Sequence, residues 1–122
     1  MKKENITLLL VEDEAITALS LRSELVQLGY EVIGIISTGT EAVQKACSHE
    51  PSAILMDINL IGAMNGVEAV EKIYEHTAIP VIYMTGYSNS EIKERALRTG
   101  PLAYLEKPVN VYDIKALLDS LH

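Results

Sequence analysis

The chain has one cysteine, Cys47, so no intramolecular disulfide can staple the fold. The apolar positions around it (Val43, Ala46, Cys47) predict that the thiol faces the buried side of a helix. Lysine and arginine form no cluster and the net charge is -7, which argues against direct nucleic-acid binding, since that needs a basic face to neutralise phosphates. No apolar run approaches membrane-spanning length. The opening Met1-Lys2-Lys3-Glu4-Asn5 leads into an apolar stretch too short for a signal peptide, so no membrane partner and a cytoplasmic location are expected. No internal repeat, linker or low-complexity segment interrupts the chain. His49, His76 and His122 are dispersed without metal-ligand spacing and read as solvated side chains.

What remains is an ordinary globular balance: 122 residues, 48% hydrophobic and 22% charged, enough for one domain with its own core. Five short aliphatic or β-branched runs recur at regular spacing: Ile6 to Val11, Val32 to Ile36, Ala53 to Met56, Val81 to Met84 and Ala103 to Leu105. Each reads as a buried strand. Helical periodicity fills the intervals, with Ala18, Leu21, Leu25 and Leu28 on one face and Ile114, Leu117, Leu118 and Leu121 on another. Thr38 to Glu41 and Ser88 to Glu91 read as capping boxes, Gly29 and Gly100 as helix stops, and Pro51 as the close of the second helix. This alternation predicts an α/β fold with a parallel sheet covered by helices on both faces. Ile92, Ala103, Val109 and Val111 read mostly as core, the other reading being a border to a partner or dimer face.

In open α/β sheets ligands bind beyond the carboxyl ends of the strands, so the first polar residue after each run is informative. The first run ends in Glu12-Asp13-Glu14, the third in Asp57, the fourth in Thr85 and the fifth in Lys107-Pro108. Carboxylates gathered at one edge repel one another unless a cation offsets them. With no histidine or cysteine nearby, hard oxygen donors point to Mg²⁺ rather than zinc. Lys107 would add a fixed positive charge and Thr85 a hydroxyl, together making a cradle for a phosphoryl group on a carboxylate nucleophile. Each feature also has a plain explanation. Acidic residues suit a helix start, an aspartate or Thr-Gly suits a turn, and a lysine before proline is usually solvated. Those explanations would all have to hold at once, at four strand ends of one sheet.

The set Glu12-Asp13, Asp57, Thr85 and Lys107-Pro108 resembles that of two-component response-regulator receiver domains, over the whole of residues 1–122 and with no effector domain in it. The resemblance implies a flavodoxin-like (βα)5 sandwich with strand order 2-1-3-4-5, the order that general accounts of this fold give for the chemotaxis receiver. It implies that Asp57 accepts the phosphoryl group from a phosphohistidine on a sensor kinase or phosphotransfer protein. Asp13 would ligate Mg²⁺ directly, Glu12 would act through metal-bound water, and the Asn59 carbonyl would complete the set with Asp57. Thr85 and Lys107 would hold phosphoryl oxygens, Tyr104 would be the switch aromatic, and the peptide before Pro108 would be cis. It also implies a downstream protein partner of unstated identity, allows a phosphorylation-dependent dimer, and limits catalysis to the domain's own phosphorylation and dephosphorylation. Two features depart from the family pattern: Ile61 stands where many receivers have proline, and Gly66 falls one residue late, making the loop after Asp57 longer by one. Asn59 and Tyr87 would flank the path of attacking water, and neither is an evident base, so self-dephosphorylation is expected to be slow to moderate. Two other classes compete. An aspartyl-phosphate phosphohydrolase would want an acid at the position of Asn59, and a non-phosphorylated interaction module would have lost part of the acceptor set.

Overall fold

The computed structural model describes residues 6–87 and 89–121. Five strands and five helices alternate: β1 (Thr7–Val11), α1 (Ala15–Gln27), β2 (Glu31–Ile36), α2 (Gly39–His49), β3 (Ala53–Asp57), α3 (Gly66–Ile73), β4 (Val81–Thr85), α4 (Ser90–Arg98), β5 (Ala103–Glu106) and α5 (Val111–Asp119). All strand pairings are parallel and the sheet order is β2-β1-β3-β4-β5, as the resemblance implied. No helix among the described residues is long and apolar enough to cross a membrane.

Successive residues of a strand face opposite sides of a sheet, and the sequence uses both sides. Leu9, Val11, Ile54, Met56, Val81 and Tyr83 turn towards α2, α3 and α4, whose Ala42, Ala46, Val67, Val70, Ile73 and Ala96 close one core. Leu8, Leu10, Ala53, Leu55, Ile82 and Met84 turn the other way, onto Ala18, Leu21 and Leu25 of α1 and Ile114 and Leu118 of α5. The central strands β3 and β4 are buried throughout, whereas the edge strands β2 and β5 are only partly covered. Val111 is buried and Ile92, Ala103 and Val109 are half-buried against these cores.

Helix ends show where sequence signals held and where they slipped. Gly29 and Gly100 have φ of 98° and 73°, left-handed conformations that suit glycine at a helix stop. Glu50, before Pro51, also turns left-handed at φ 42°, consistent with proline disfavouring the helical region for the residue before it. Thr38 accepts the Glu41 N–H at 3.2 Å, while the Glu41 carboxylate takes the Thr38 hydroxyl. The cap of α4 is Asn89, not Ser88, which lies outside the described residues as Met1 to Asn5 and His122 do. The full reciprocal box belongs to Asn65 and Glu68 at α3, which the sequence reading did not single out. Cys47 is exposed, contrary to expectation. Helix α2 buries Gly39, Ala42 and Ala46, and the next residue is rotated about 100° off that face.

One close approach fixes the sheet edge. A Cβ on Gly66 would lie 2.2 Å from the Asp57 carbonyl oxygen and 2.9 Å from the Ile58 Cα, so α3 begins directly against the backbone of β3's last residue. The Gly66 N–H also donates to the Ile58 carbonyl at 3.0 Å. Gly66→Ala is therefore expected to destabilise the fold by more than about 2 kcal/mol, because backbone rather than a mobile side chain would have to give way. Urea unfolding checks this; a loss within a few tenths of a kcal/mol would show that the contact relaxes freely.

Candidate functional site

The strand register brings the polar strand ends together. Val11 pairs with Met56, so Glu12 and Asp57 follow at the same level of neighbouring strands, and Asp57 itself pairs with Met84, one residue before Thr85. Thr85 pairs with Glu106, which places Lys107 next along the adjacent edge. This edge lies where the chain's connections diverge to either side of β1, the place where open α/β sheets leave a crevice.

Carboxylate oxygens of Glu12, Asp13 and Asp57 all lie within 4.8 Å of one another. Glu12 and Asp57 are buried at 2% exposure each, and Asp13 is half-buried. Lys107 reaches in from β5 with its Nζ 2.7 Å from Glu12 Oε1 and 3.2 Å from Asp57 Oδ2. Lys107 pairs with two of the three carboxylates, so among the described residues the group carries excess negative charge. Burial pushes the Glu12 carboxyl above the usual carboxylate range, opposed by hydrogen bonds from Lys107 and the Glu14 N–H and reinforced by neighbouring Asp57. Burial alone would lower the Lys107 ammonium, but the bond to Glu12 and the charges of Asp57 and Glu12 outweigh it and leave lysine more basic than usual. The donor set is all oxygen, hard and negatively charged, which fits a small divalent cation and not a thiophilic one.

The main chain orients these carboxylates. Asp57 Oδ1 accepts the Asn59 N–H at 3.0 Å, Glu12 Oε2 the Glu14 N–H at 3.1 Å, and Asp13 Oδ2 the Ile61 N–H at 3.0 Å. Glu14 occupies the N-cap position of α1 yet its side chain makes no capping bond, so helix capping does not account for the acidic run. Asn59 turns its amide towards Thr85 Oγ1, at 3.2 Å, and the Tyr87 carbonyl, at 2.7 Å. Thr85 itself is buried and donates to the same carbonyl at 2.9 Å.

Tyr104 sits across from Tyr83 on β5, half-buried, with ring centroids 6.3 Å apart and the Lys93 Nζ 5.5 Å from its own centroid. Thr85, Gly86, Tyr87, Lys93 and Tyr104 line one cleft of about 390 Å³, which leaves space beside the ring. The Lys107-Pro108 peptide is cis. His49 and His76 are exposed.

Sequence reasoning missed two supports of this site. One is the bond from Ile61 to Asp13, a main-chain donor that no residue type advertises. The other is the contact of Met64 with Gly39, where a Cβ would lie 2.9 Å from the Met64 carbonyl oxygen, so the N-terminus of α2 braces the β3–α3 loop. The late glycine at Gly66 was the visible sign of the third support, its packing on Asp57.

The chain matches the family described as response regulator receiver domain over residues 8–119. It is 34% identical over 106 residues to the transcriptional regulatory protein PdtaR of Mycobacterium tuberculosis, covering 87% of this chain and 51% of that protein. It thus spans about half the length of that curated relative. Among solved structures it is similar to the signal receiver domain of a modulated diguanylate cyclase from Desulfovibrio desulfuricans, with TM-score 0.88, 36% identity, and 93% and 90% of the two chains covered. It is also similar to the receiver domain of a sensor histidine kinase from Pseudomonas aeruginosa with a magnesium ion coordinated in its active-site cleft, with TM-score 0.84, 29% identity, and 94% and 95% covered.

Because the folded protein holds the Glu12 proton more tightly than the unfolded chain does, this group's contribution to stability falls as pH rises through the carboxylate range. Removing Lys107 should sharpen that dependence by leaving two buried carboxylates without their cation. Lys107→Met is expected to destabilise the metal-free protein by about 2 to 3 kcal/mol near neutral pH, less than a fully buried pair because the lysine is 26% exposed. The loss should shrink in acid as Glu12 protonates. Denaturant titrations at both pH values test this, and a loss that does not change with pH would show that the ion pairs are not its source.

Proposed function

The chain belongs to the response-regulator receiver family, and on that premise we propose that Asp57 is its phosphoryl acceptor and that Glu12, Asp13, Asp57 and Asn59 hold Mg²⁺ beside it. The observation that carries this reading is the buried Asp57 carboxylate, within 4.8 Å of two others and in contact with Lys107. Asp57 Oδ attacks the phosphorus of a phosphohistidine on a sensor histidine kinase or phosphotransfer protein. The P–N bond breaks, its electron pair stays with nitrogen, and the protonated ring leaves as neutral imidazole. Bound Mg²⁺ supplies compensating charge for the incoming phosphoryl oxygens.

The protein's own groups do the rest. Lys107 stands within reach of Asp57 and can exchange a carboxylate oxygen for a phosphoryl oxygen, keeping its charge paired throughout. The Thr85 hydroxyl, one residue along the neighbouring strand, donates its hydrogen to the same group. Drawing Thr85 inwards opens room beside Tyr104, and the half-buried ring follows. The product is a shift between two conformations, driven by the phosphoryl group's preference for one of them. Catalysis is confined to the domain's own aspartate, and the downstream partner is a protein that reads the switched face.

The test is intact-mass analysis after incubation with Mg²⁺ and a small-molecule phosphodonor. Wild-type protein should gain one phosphoryl group and Asp57→Asn none; equal labelling of the two would sink the assignment. Once formed, the acyl phosphate should persist for minutes or longer, because Tyr87 and Asn59 offer no base to an attacking water and the Asn59 amide is engaged elsewhere. Following the phosphorylated mass after donor removal checks this, and a lifetime of seconds contradicts it.

A further inference from the structure

We propose that the Asn59 side chain is a positioning latch that holds Thr85 in its unphosphorylated orientation and so sets how readily the domain switches. The inference rests on the phospho-receiver reading of Asp57 and Thr85, and concerns a side chain that this reading places only beside the path of water, the Asn59 main-chain carbonyl being the assigned metal ligand.

Three hydrogen bonds form a closed triangle. The Tyr87 carbonyl can only accept, so the Asn59 atom 2.7 Å from it is the amide nitrogen. The second hydrogen of that nitrogen goes to Thr85 Oγ1 at 3.2 Å. The single hydroxyl hydrogen of Thr85 is then committed to Tyr87, at 2.9 Å. A hydroxyl has only one hydrogen to give, so Thr85 cannot donate to an oxygen on Asp57 until it leaves the Tyr87 carbonyl. Two sides of the triangle end on Thr85, and both belong to the unphosphorylated orientation alone. The same amide ties the loop after Asp57 to the loop after Thr85, so local rearrangement at one is resisted at the other.

Removing the amide deletes two bonds, of which the one to Thr85 Oγ1 belongs to the resting orientation, and a net hydrogen bond of ordinary strength corresponds to a roughly three- to ten-fold change in an equilibrium. The latch therefore predicts easier switching, not weaker metal or phosphoryl binding, when it is removed. Asn59 is exposed and its main-chain carbonyl is retained in Asn59→Ala; because that carbonyl is among the proposed Mg²⁺ ligands, wild type and variant are compared at saturating Mg²⁺.

The experiment uses the whole chain and beryllofluoride with Mg²⁺ as the probe. Amide resonances of Tyr104 and Lys93 in ligand-free Asn59→Ala should lie displaced from wild type, along the line towards the wild-type beryllofluoride-bound positions. The beryllofluoride concentration at half-saturation should fall roughly three- to ten-fold. In a Thr85→Val background the same substitution should change half-saturation by less than it does in wild type, since the bond to Thr85 is already gone and only the bond to the Tyr87 carbonyl remains to be lost. Half-saturation in Asn59→Ala that is unchanged or higher, with no displacement at Tyr104, overturns the latch while leaving the acceptor assignment standing. A wild-type spectrum that does not respond to the probe at all overturns both.

Discussion

Two buried carboxylates on neighbouring strands share one ammonium, and most of this structure can be understood as what it takes to hold them there. Glu12 and Asp57 are each almost wholly excluded from water, and Lys107 touches both. Taking charges out of water is expensive unless they are paired and hydrogen-bonded, and here each carboxylate also receives a main-chain N–H. One lysine does not neutralise three acids. The residual negative charge is a standing attraction for a divalent cation and makes the site ready for a group that brings counter-charge with it. The central strands that carry Asp57 and Thr85 to this edge are buried on both faces.

The loop after Asp57 shows how an irregular segment can be made to serve a fixed site. It carries one residue more than the family pattern, and Ile61 at its tip is exposed at 80%. Its ends are nonetheless pinned. Gly66 packs its backbone on Asp57, the Asn65 and Glu68 box starts α3, Met64 rests on Gly39, and the Ile61 N–H is spent on Asp13. The extra residue is thus absorbed at the tip, where Gly62 takes φ of 120°.

Helix α4 is held unevenly, which bears on how a change at Thr85 can travel. Towards its C-terminal end Arg95 makes a bidentate pair with Glu71 of α3, at 2.7 and 2.9 Å, and the Tyr83 hydroxyl meets Thr99 at 2.8 Å. The ion pair is partly exposed and modest in strength; the tyrosine is fully buried, and burial pushes its hydroxyl well above the usual value, keeping it neutral. Towards the N-terminal end, the Asn89 cap and the Asn59 contact to Tyr87 are local and near solvent.

Much of this was legible in the chain itself. The apolar runs gave each strand to within a residue, because buried parallel strands must be continuously apolar, and polar residues following four of the five runs reached the site, Lys107 from one position beyond Glu106. Periodicity was less reliable one residue off a helix face, as Cys47 showed, and caps were misplaced or missed where asparagine did the work, at Asn65, Asn89 and Asn110. Sequence alone determined the alternation of elements, the chemical types at the strand ends and the left-handed stops at Gly29 and Gly100, since these follow from local propensity and pattern. Only the tertiary structure decided that Lys107 pairs with Glu12 across 95 residues, that Asn59 turns to Tyr87 and that Gly66 abuts Asp57. Those are matters of register and close approach between distant segments, and no local signal encodes them.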